Sequence, residues 1–269
     1  MAETLKLMCI LAHPDDESFG TGGILAKYAA EDVETYLITA TRGERGWMGD
    51  EKDDPGPEAL GQLRTRELKA ASHALGLCEV HFLDYIDGDL DQANPAEAIA
   101  KIVTQLRRVR PHVVVTFDPF GAYGHPDHIA ISQFTQAAIV AAADPTYGHI
   151  NGHVPHRVAK LYYMADSKDL IAAYQSVMGD ITMPVDGVVR GAMPWEDWAI
   201  TTRIDTAAYW RQVWQAASCH RSQLPNHDEL AQLPEEMQLK FWGCQTFYRA
   251  FSLVNGGRQV EHDLFEGLR

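Results

Sequence analysis

Clustered positive charge is scarce in this sequence of 269 residues. Its 23 Lys and Arg residues stand against 37 Asp and Glu residues, which leaves a formal net charge of −14 at pH 7, and no basic run is longer than RRVR at Arg107–Arg110. Nucleic acids and anionic membranes are bound through clustered Lys and Arg. The composition therefore argues against both partners, and we expect a small substrate that is not strongly anionic.

A long hydrophobic run is also missing from the start of the chain. The apolar stretch LKLMCIL at Leu5–Leu11 is far shorter than the ~20 residues that span a bilayer. Neither a basic leader nor a small-residue cleavage site accompanies it, as a signal peptide would require. We therefore expect a cytoplasmic protein.

Cysteine is rare and scattered. Only Cys9, Cys78, Cys219 and Cys244 occur, without a CxxC pair. This spacing, in a chain expected to be cytoplasmic, favours free thiols over a disulfide framework. We expect these residues to be mostly buried in the core.

Short apolar runs alternate with longer amphipathic segments through the first 165 residues. The predicted strands are Leu5–Ala12, Val33–Ala40, Val80–Leu83, His112–Phe117 and Val158–Met164. The predicted helices are Thr21–Ala30, Glu58–Leu77, Pro95–Arg108 and Pro126–Ala143. Apolar strands that alternate with helices are typical of a parallel sheet covered on both faces. The sequence thus predicts an α/β fold, a Rossmann-like three-layer sandwich with a mainly parallel sheet.

The remainder, from about residue 166 to 269, is less regular. Helices are predicted at Ser167–Met178 and Thr206–Ser218, and Met183–Trp198 reads as a loop that ends in a strand. No repeat, low-complexity tract or flexible linker divides the chain. We therefore expect a single domain over residues 1–269, with the C-terminal part completing the site.

The stretch AHPDDESFGTGG at Ala12–Gly23 follows the first predicted strand. Its glycines do not match the dinucleotide pattern GxGxxG, and the neighbouring carboxylates would repel a pyrophosphate. His13 and Asp16 instead offer an imidazole nitrogen and a carboxylate oxygen, which suit Zn²⁺ or a similar divalent ion. Because a catalytic zinc site usually has three protein ligands, a third donor is expected elsewhere in the chain.

A second HPD triplet lies in GAYGHPDHIAIS at Gly121–Ser132. It follows the fourth predicted strand, so a parallel sheet brings it to the same edge as the first motif. His125 and His128 share a helical face, and one of them could bind the metal while the other serves acid chemistry. The alternative is that Asp15 or Asp16 and Asp127 only cap their helices, but capping needs no histidine.

With both motifs, the chain resembles the zinc-dependent N-acetylglucosaminyl deacetylases of the LmbE or PIG-L type. This family includes deacetylases of mycothiol and bacillithiol synthesis and the mycothiol conjugate amidase. The resemblance rests on AHPDDE at Ala12–Glu17, TRGERG at Thr41–Gly46, RTRELKAASHALG at Arg64–Gly76, YGHPDH at Tyr123–His128 and HRSQ at His220–Gln223. It implies an LmbE-like deacetylase fold.

The resemblance also implies a metal site and a base. His13, Asp16 and His128 would bind one Zn²⁺ per chain, for which Fe²⁺ could substitute because the ligand types do not separate the two ions. Asp15 would be the general base. Zinc lowers the pKa of bound water toward about 7, and a carboxylate outside its ligand set can take the proton.

Three further residues receive roles from the resemblance. Tyr123 and His125 would stabilise the oxyanion or protonate the leaving amine, and Asp127 would orient His125. Amide hydrolysis passes through a tetrahedral oxyanion, and an amine leaves poorly until it is protonated, so this chemistry needs such donors. The implied function is removal of acetate from an N-acetylated amino sugar or its conjugate.

Several residues in the motifs that support the resemblance have two possible roles. Arg64 could hold a substrate hydroxyl or phosphate, or form an exposed ion pair with Glu67 on one helical face; Arg66 is an equal candidate. His220 could reach the substrate or complement the dipole of the helix before it.

Two further segments are expected near the site. Met193, Trp195 and Trp198 could line a sugar, or they could pack in the core or at an oligomer contact. The polar loop Gly43–Glu58 follows the second predicted strand and is expected at the site wall or in solvent.

Two other functions remain open on sequence grounds. His/Asp metal sites also hydrolyse phosphoesters, usually with two metal ions, and a metal-dependent binding domain without turnover could keep the same architecture. A homo-oligomer is compatible with the sequence, which leaves the oligomeric state undecided.

Overall fold

Seven strands form the central sheet of the computed structural model, which describes residues 4–148, 152–180, 182–185, 187–257 and 259–269. The sheet has the order β3-β2-β1-β4-β5-β9-β8, and the two remaining strands form the separate β6–β7 hairpin. The strands are β1 (Lys6–Leu11), β2 (Glu34–Thr41), β3 (Glu79–Tyr85), β4 (Val113–Thr116), β5 (Lys160–Met164), β6 (Thr182–Val185), β7 (Val188–Gly191), β8 (Thr202–Asp205) and β9 (Cys244–Ser252).

Helices cover both faces of this sheet. They are α1 (Asp16–Gly20), α2 (Gly22–Ala30), α3 (Pro57–Leu75), α4 (Pro95–Val109), α5 (Gly121–Gly124), α6 (Pro126–Ala143), α7 (Lys168–Met178), α8 (Trp210–Ala217), α9 (His227–Ala231) and α10 (Glu235–Trp242). The chain moves outward from β1 to β3 and then crosses back to β4. Right-handed crossovers therefore place α4 and α6 on the face opposite α2 and α3. None of the helices in the described ranges is long and apolar enough to cross a bilayer.

The predicted α/β fold with a mainly parallel sheet is confirmed. β1 pairs in parallel with β2 and β4, and β2–β3 and β4–β5 are also parallel. β9 joins antiparallel to both β5 and β8. The strand order reverses between β1 and β4, and such a reversal opens a crevice at the carboxyl ends of the two strands. The first HPD motif begins just after β1, and the second lies in the segment that connects β4 to α6.

The C-terminal part departs from the sequence expectation. Met183–Trp198 was expected to be a loop that ends in a strand, but its described residues contain most of the β6–β7 hairpin and then a 3₁₀ turn at Asp197–Ala199; residue 186 lies outside the described residues. β8 and β9 were missed because their burial comes from pairing with a distant strand, not from a local pattern. All four cysteines are free, but Cys78 and Cys244 are exposed rather than buried.

A buried carboxylate ties the antiparallel edge to the C-terminus. Glu261 is 1% exposed and accepts hydrogen bonds from Lys160 Nζ at 2.7 Å, Tyr162 Oη at 2.7 Å and Asn255 Nδ2 at 2.6 Å. Arg249 Nη1 lies 2.9 Å from the same carboxylate. Burial alone would raise the pKa of Glu261, but the hydrogen bonds from Lys160, Tyr162 and Asn255 lower it to about 2.

Glu261→Ala should therefore destabilise the fold. Breaking a buried pair leaves an uncompensated charge, here on Lys160, and costs about 3–5 kcal/mol. The pKa of Glu261 in the folded protein lies below the ordinary value of ~4.3. Its contribution to the free energy of unfolding is therefore fully present at pH values above ~4.3 and is lost as the pH falls toward 2. Urea unfolding at several pH values measures this. Glu196→Ala, which removes the exposed partner of Lys168, is the control and should change stability by less than ~1 kcal/mol; equal losses would contradict the assignment.

Candidate metal centre and active site

Two strand ends bring the predicted metal ligands together. His13 stands just after β1, Asp16 opens α1, and His128 lies in the first turn of α6. His13 Nδ1 is 3.2 Å from His128 Nε2, Asp16 Oδ2 is 3.7 Å from His13 Nδ1, and Asp16 Oδ1 is 3.6 Å from His128 Nε2. Three donor atoms that bind one metal ion at tetrahedral angles, each ~2 Å from the ion, would lie about 3.3 Å from one another.

This donor set fits a divalent ion. The three side chains are nearly buried, and Asp16 Oδ2 is fixed by the N–H groups of Ala12 at 3.1 Å and His13 at 2.7 Å. Burial, with the nearby imidazoles of His13 and His125, holds the pKa of His128 well below its usual value. His128 is therefore neutral and its Nε2 can act as a ligand. Two nitrogens and one oxygen with an open position suit a catalytic metal.

Two carboxylates support His13 from behind. Its Nε2 lies 3.0 Å from Asp87 Oδ1 and 3.1 Å from Asp127 Oδ2. Burial would lower the pKa of His13, but hydrogen bonds with Asp127 and Asp87 raise it to about 10. Carboxylates in this position orient a metal-binding imidazole and increase its basicity. Asp127 is itself held by the N–H groups of Gly88 at 2.7 Å and Leu90 at 3.0 Å.

The side chain of Asp127 thus contacts a different histidine from the one expected. It was expected to orient His125, but its carboxylate faces His13, and its connection to His125 is the main-chain N–H that donates to His125 Nδ1 at 3.1 Å. The His125 ring lies 4.9 Å from the rings of both His13 and His128. His125 therefore adjoins the centre, and nitrogens of the three histidines lie within 4.8 Å of one another.

Tyr123 lies beside the centre in α5, a short turn whose backbone is not helical at Ala122 and Tyr123 and therefore forms a strained loop. Its ring is 5.2 Å from that of His128, and burial raises its pKa well above the usual value, so the hydroxyl stays protonated and can donate. The preceding Ala122 has φ of 63°. Asp118 holds this loop: Oδ1 accepts the Ala122 N–H at 2.9 Å, and Oδ2 accepts Trp195 Nε1–H at 2.9 Å.

Asp15 is also held in an unusual backbone conformation, with φ of 109°. Its N–H donates to Glu17 Oε2 at 2.9 Å, and its Oδ2 is 3.2 Å from Arg64 Nη2. Burial raises the pKa of the Asp15 carboxyl, while the Arg64 guanidinium opposes that rise. A non-glycine residue in this region costs about 1–3 kcal/mol and persists only where its surroundings enforce it.

Contacts of Arg64 help to hold the backbone of Asp15 in this conformation. Arg64 is 3% exposed, and its Nη1 donates to the Gly43 carbonyl at 2.8 Å while its Nη2 donates to the Pro14 carbonyl at 2.6 Å. A Cβ at Gly43 or Gly46 would lie within 2.5 Å of Nη1, so both glycines of TRGERG make room for it. Arg64 is therefore placed to position the Asp15 loop rather than to meet substrate.

The other two predicted substrate contacts are not brought to the site. Arg66 is exposed on the outer face of α3, because residues two apart on a helix point in nearly opposite directions. His220 is fully buried, and its Nε2 lies 2.7 Å from Glu17 Oε1. The structure gives Glu17, which the sequence had left without a role, two tasks: it accepts the Asp15 N–H and pairs with His220.

The remainder of HRSQ also supports the site from a distance. Ser222 donates through its N–H and Oγ to Glu67 at 2.9 and 2.6 Å, and Gln223 Nε2 donates to the Gly46 carbonyl at 2.8 Å. Arg64 and Glu67 share the buried face of α3, so the expected exposed ion pair between them is wrong. The motif fixes α3 and the Gly43 loop against each other.

The polar loop after β2 contributes to the site wall. The Arg45 N–H donates to Asp87 Oδ2 at 3.0 Å, and Glu44 Oε1 accepts the Asp87 N–H at 3.1 Å. Sequence reasoning missed Asp87 and Asp118. Each follows the carboxyl end of a parallel strand, β3 and β4, so the rule that located the two HPD motifs was available for both.

An apolar pocket of about 260 Å³ opens beside Asp16, His128 and Tyr123. Trp195 and Met193 line it, whereas Trp198, also expected in an aromatic wall, is 86% exposed. The centre therefore has a polar side at Asp87 and an apolar side at this pocket.

Comparison with known proteins shows the family to which the chain is related. Residues 8–139 match the sequence model of the family described as PIG-L, GlcNAc-PI de-N-acetylase. The 1D-myo-inositol 2-acetamido-2-deoxy-α-D-glucopyranoside deacetylase of Rhodococcus erythropolis is 34% identical over 298 residues, which cover 99% of both chains.

Two solved structures show the fold. N,N′-diacetylchitobiose deacetylase from Pyrococcus horikoshii superposes with a TM-score of 0.69 at 20% identity, over 92% of this chain and 84% of that one. The 4-carboxy-2-hydroxymuconate hydratase GalB from Pseudomonas putida gives a TM-score of 0.66 at 19% identity, over 94% and 99%. The fold alone therefore does not decide the reaction, but the identity to a deacetylase over the full chain does: the protein belongs to the PIG-L family and is a hydrolytic N-deacetylase.

Proposed function

We propose that this enzyme uses one Zn²⁺, bound by His13, Asp16 and His128, to remove acetate from a 2-acetamido sugar conjugate. The observation that carries the proposal is the convergence of these three donors within 3.2–3.7 Å, with Asp15 next to them in the chain. The relatives named for 1D-myo-inositol 2-acetamido-2-deoxy-α-D-glucopyranoside make that compound the first substrate to test.

The ion, when bound, lowers the pKa of water and polarises the amide carbonyl. The Asp15 carboxylate, fixed by Arg64 and by Glu17, takes the proton of the attacking water. Its burial favours proton uptake, because the neutral form is less costly in a dry site. Asp15 is thus the general base of the proposal.

Two donors complete the reaction. The Tyr123 hydroxyl, beside His128, donates a hydrogen bond to the oxyanion that forms from the carbonyl. His125, next to both histidine ligands, donates a proton to the amine nitrogen as the C–N bond breaks. General acid catalysis of this kind typically raises a reaction rate by about 10²–10⁴-fold. Each tenfold increase corresponds to an activation barrier lowered by ~1.4 kcal/mol.

The phosphoesterase alternative receives less support. It would need a second metal. His13, Asp87 and Asp127 lie close enough together to hold one, but Asp87 and Asp127 both face Nε2 of His13, where they support a ligand of the first site. A metal count of two per chain would favour that alternative, and Fe²⁺ in place of Zn²⁺ would show in the same metal analysis.

Removal of the metal and substitution of the base should each strongly reduce turnover. Chelator-treated protein should lose acetate release and regain it with Zn²⁺, and Asp15→Asn should lower kcat roughly 10²–10⁴-fold while one metal per chain is retained. The assay follows free amine, with metal content measured on the same samples. Asp53→Asn, an exposed residue of the loop after β2, is the matched control. Full activity of Asp15→Asn would refute the assigned base.

The two arginines of RTRE should respond differently. Arg64→Lys removes the planar guanidinium group that donates to both the Gly43 and the Pro14 carbonyl. The Asp15 loop should therefore shift, and a displacement of a catalytic group by ~1 Å can lower the rate by about 10²-fold. We expect kcat to fall by roughly 10–100-fold with KM nearly unchanged. Arg66→Lys, on the exposed face, should leave both constants unaltered. If KM rises in Arg64→Lys while kcat holds, Arg64 contacts substrate and does not position the base.

His220 offers a test between support and substrate binding. His220→Ala leaves the Glu17 carboxylate buried without its partner, which should lower the free energy of unfolding by about 3–5 kcal/mol. Denaturant unfolding is the measurement, and His73→Ala, exposed on α3, should cost less than ~0.5 kcal/mol. An unchanged stability together with a raised KM would instead support a direct contact with the sugar.

A further inference from the structure

The turn that carries Tyr123 has an unusual backbone. Three of its four residues have φ in the left-handed region, at 67° for Gly121, 63° for Ala122 and 83° for Gly124. Glycine adopts such a φ freely, but alanine does so only where its surroundings enforce it. The turn also packs closely on the metal centre, because a Cβ at Gly121 would lie 2.9 Å from the Cβ of His128. Contacts from elsewhere in the chain must therefore hold this conformation.

The Tyr123 hydroxyl takes its position from this backbone. It makes no hydrogen bond within the described part of the chain, and the centroid of the Tyr123 ring lies 6.0 Å from that of His125 and 5.2 Å from that of His128. His125 has an anchor of its own, since the Asp127 N–H donates to its Nδ1 at 3.1 Å. A change in the turn would therefore move the proposed oxyanion donor more than the proposed acid.

Two carbonyl groups of the turn accept hydrogen bonds from one short stretch, residues 190–195. Arg190, near the end of β7, donates through Nη1 to the Gly124 carbonyl. The Met193 N–H donates to the Ala122 carbonyl at 3.2 Å. A Cβ at Gly124 would lie 3.1 Å from Arg190 Cδ, so the aliphatic part of this side chain packs on the turn as well.

The same stretch also reaches the turn through a buried carboxylate. Trp195 Nε1 donates to Asp118 Oδ2, and Asp118 Oδ1 accepts the Ala122 N–H, each at 2.9 Å. Asp118 is 3% exposed, so loss of the indole donor would leave a buried oxygen without that partner and would shift the carboxylate. The Trp195 main chain is itself fixed, because its N–H donates to the Asp166 carbonyl at 2.8 Å.

We propose that Arg190 and Trp195 are positioning residues that hold the turn so that the Tyr123 hydroxyl meets the oxyanion. The inference rests on the proposed function, since Tyr123 is the donor named there. Donors of an oxyanion hole act because they are fixed in place before charge develops on the oxygen. A displaced hydroxyl therefore weakens binding of the transition state and leaves substrate binding nearly as it was, so the loss should appear in kcat rather than in KM.

A double-mutant cycle separates this role from the place of Trp195 in the pocket wall. Trp195→Phe removes the indole N–H and keeps an aromatic ring. It should lower kcat roughly 10–100-fold, because a displacement of ~1 Å can cost about 10²-fold. In the Tyr123→Phe background, where the hydroxyl is already absent, the same change should cost less than about threefold, since groups that act through one another are not additive. Acetate release by the metal-loaded enzyme is the measurement.

Arg190 provides a second, independent variant. Arg190→Met keeps an aliphatic chain on the turn and removes the donor to the Gly124 carbonyl, so it should show the same loss and the same dependence on the Tyr123 hydroxyl. Arg190→Lys can still donate one hydrogen bond and should recover part of the rate. Trp198→Phe is the matched control, because Trp198 is 86% exposed, and it should leave kcat unaltered.

Additive losses would overturn the inference. If Trp195→Phe or Arg190→Met lowers kcat as much in the Tyr123→Phe background as in the wild type, that residue acts on something other than the hydroxyl. A kcat that neither variant changes overturns it as well. Full activity of Tyr123→Phe overturns the inference together with the assigned oxyanion donor, while the metal and the base of the proposed function stand.

Hydrogen exchange keeps the test independent of turnover. In the metal-loaded enzyme, Trp195→Phe should speed exchange of the Ala122 amide by about tenfold, the equivalent of one lost hydrogen bond, and Trp198→Phe should leave it unaltered. If no amide reacts, the proposed function fails, and this measurement then decides whether Trp195 holds the turn. Unchanged exchange in Trp195→Phe overturns the inference whatever the kinetics show.

Discussion

The site depends on how two buried carboxylates hold one imidazole. Asp87 and Asp127 both face His13 Nε2, so His13 presents Nδ1 toward His128 and Asp16. Buried charges of one sign are costly unless a cation or hydrogen bonds compensate them. Main-chain N–H groups compensate Asp127, and a divalent ion on the far side of His13 would complete the charge balance. A bound cation would therefore balance the negative charge of the clustered carboxylates. The polar loops around the site keep these carboxylates in place.

Sequence reasoning predicted the parallel sheet, and it also predicted that the donors of the two HPD motifs would meet, because both depend on local pattern. Apolar runs of strand length and their helices are readable along the chain, and the carboxyl ends of neighbouring strands meet at one edge. The expectation that His13 and Asp16 would lie near the second HPD motif followed from that rule, whereas the choice of His128 as the third ligand came from the family resemblance. The exposed position of Arg66 was equally readable, since helical spacing separates it from Arg64, but the register of α3 had to be known first.

The supporting residues were harder to predict because their partners are distant in sequence. His220 and Glu17 are 203 residues apart, and Ser222 and Glu67 are 155 apart. Nothing in the local sequence around His220 distinguishes a buried partner of a carboxylate from a substrate contact. The same holds for Trp195, whose indole holds Asp118 across 77 residues. Burial of a polar side chain is decided by tertiary packing, and that packing is not visible in a local pattern.

The antiparallel addition to the sheet has a consequence for how such an enzyme changes. The proposed metal ligands and the proposed base lie within residues 8–139, the segment that matches the family, whereas most of the pocket wall comes from residues 164–246. The proposed catalytic residues and most of the pocket wall thus come from separate stretches of the chain that meet at the crevice. Substitutions in the later stretch can therefore change the shape of the pocket without replacing any of the proposed ligands.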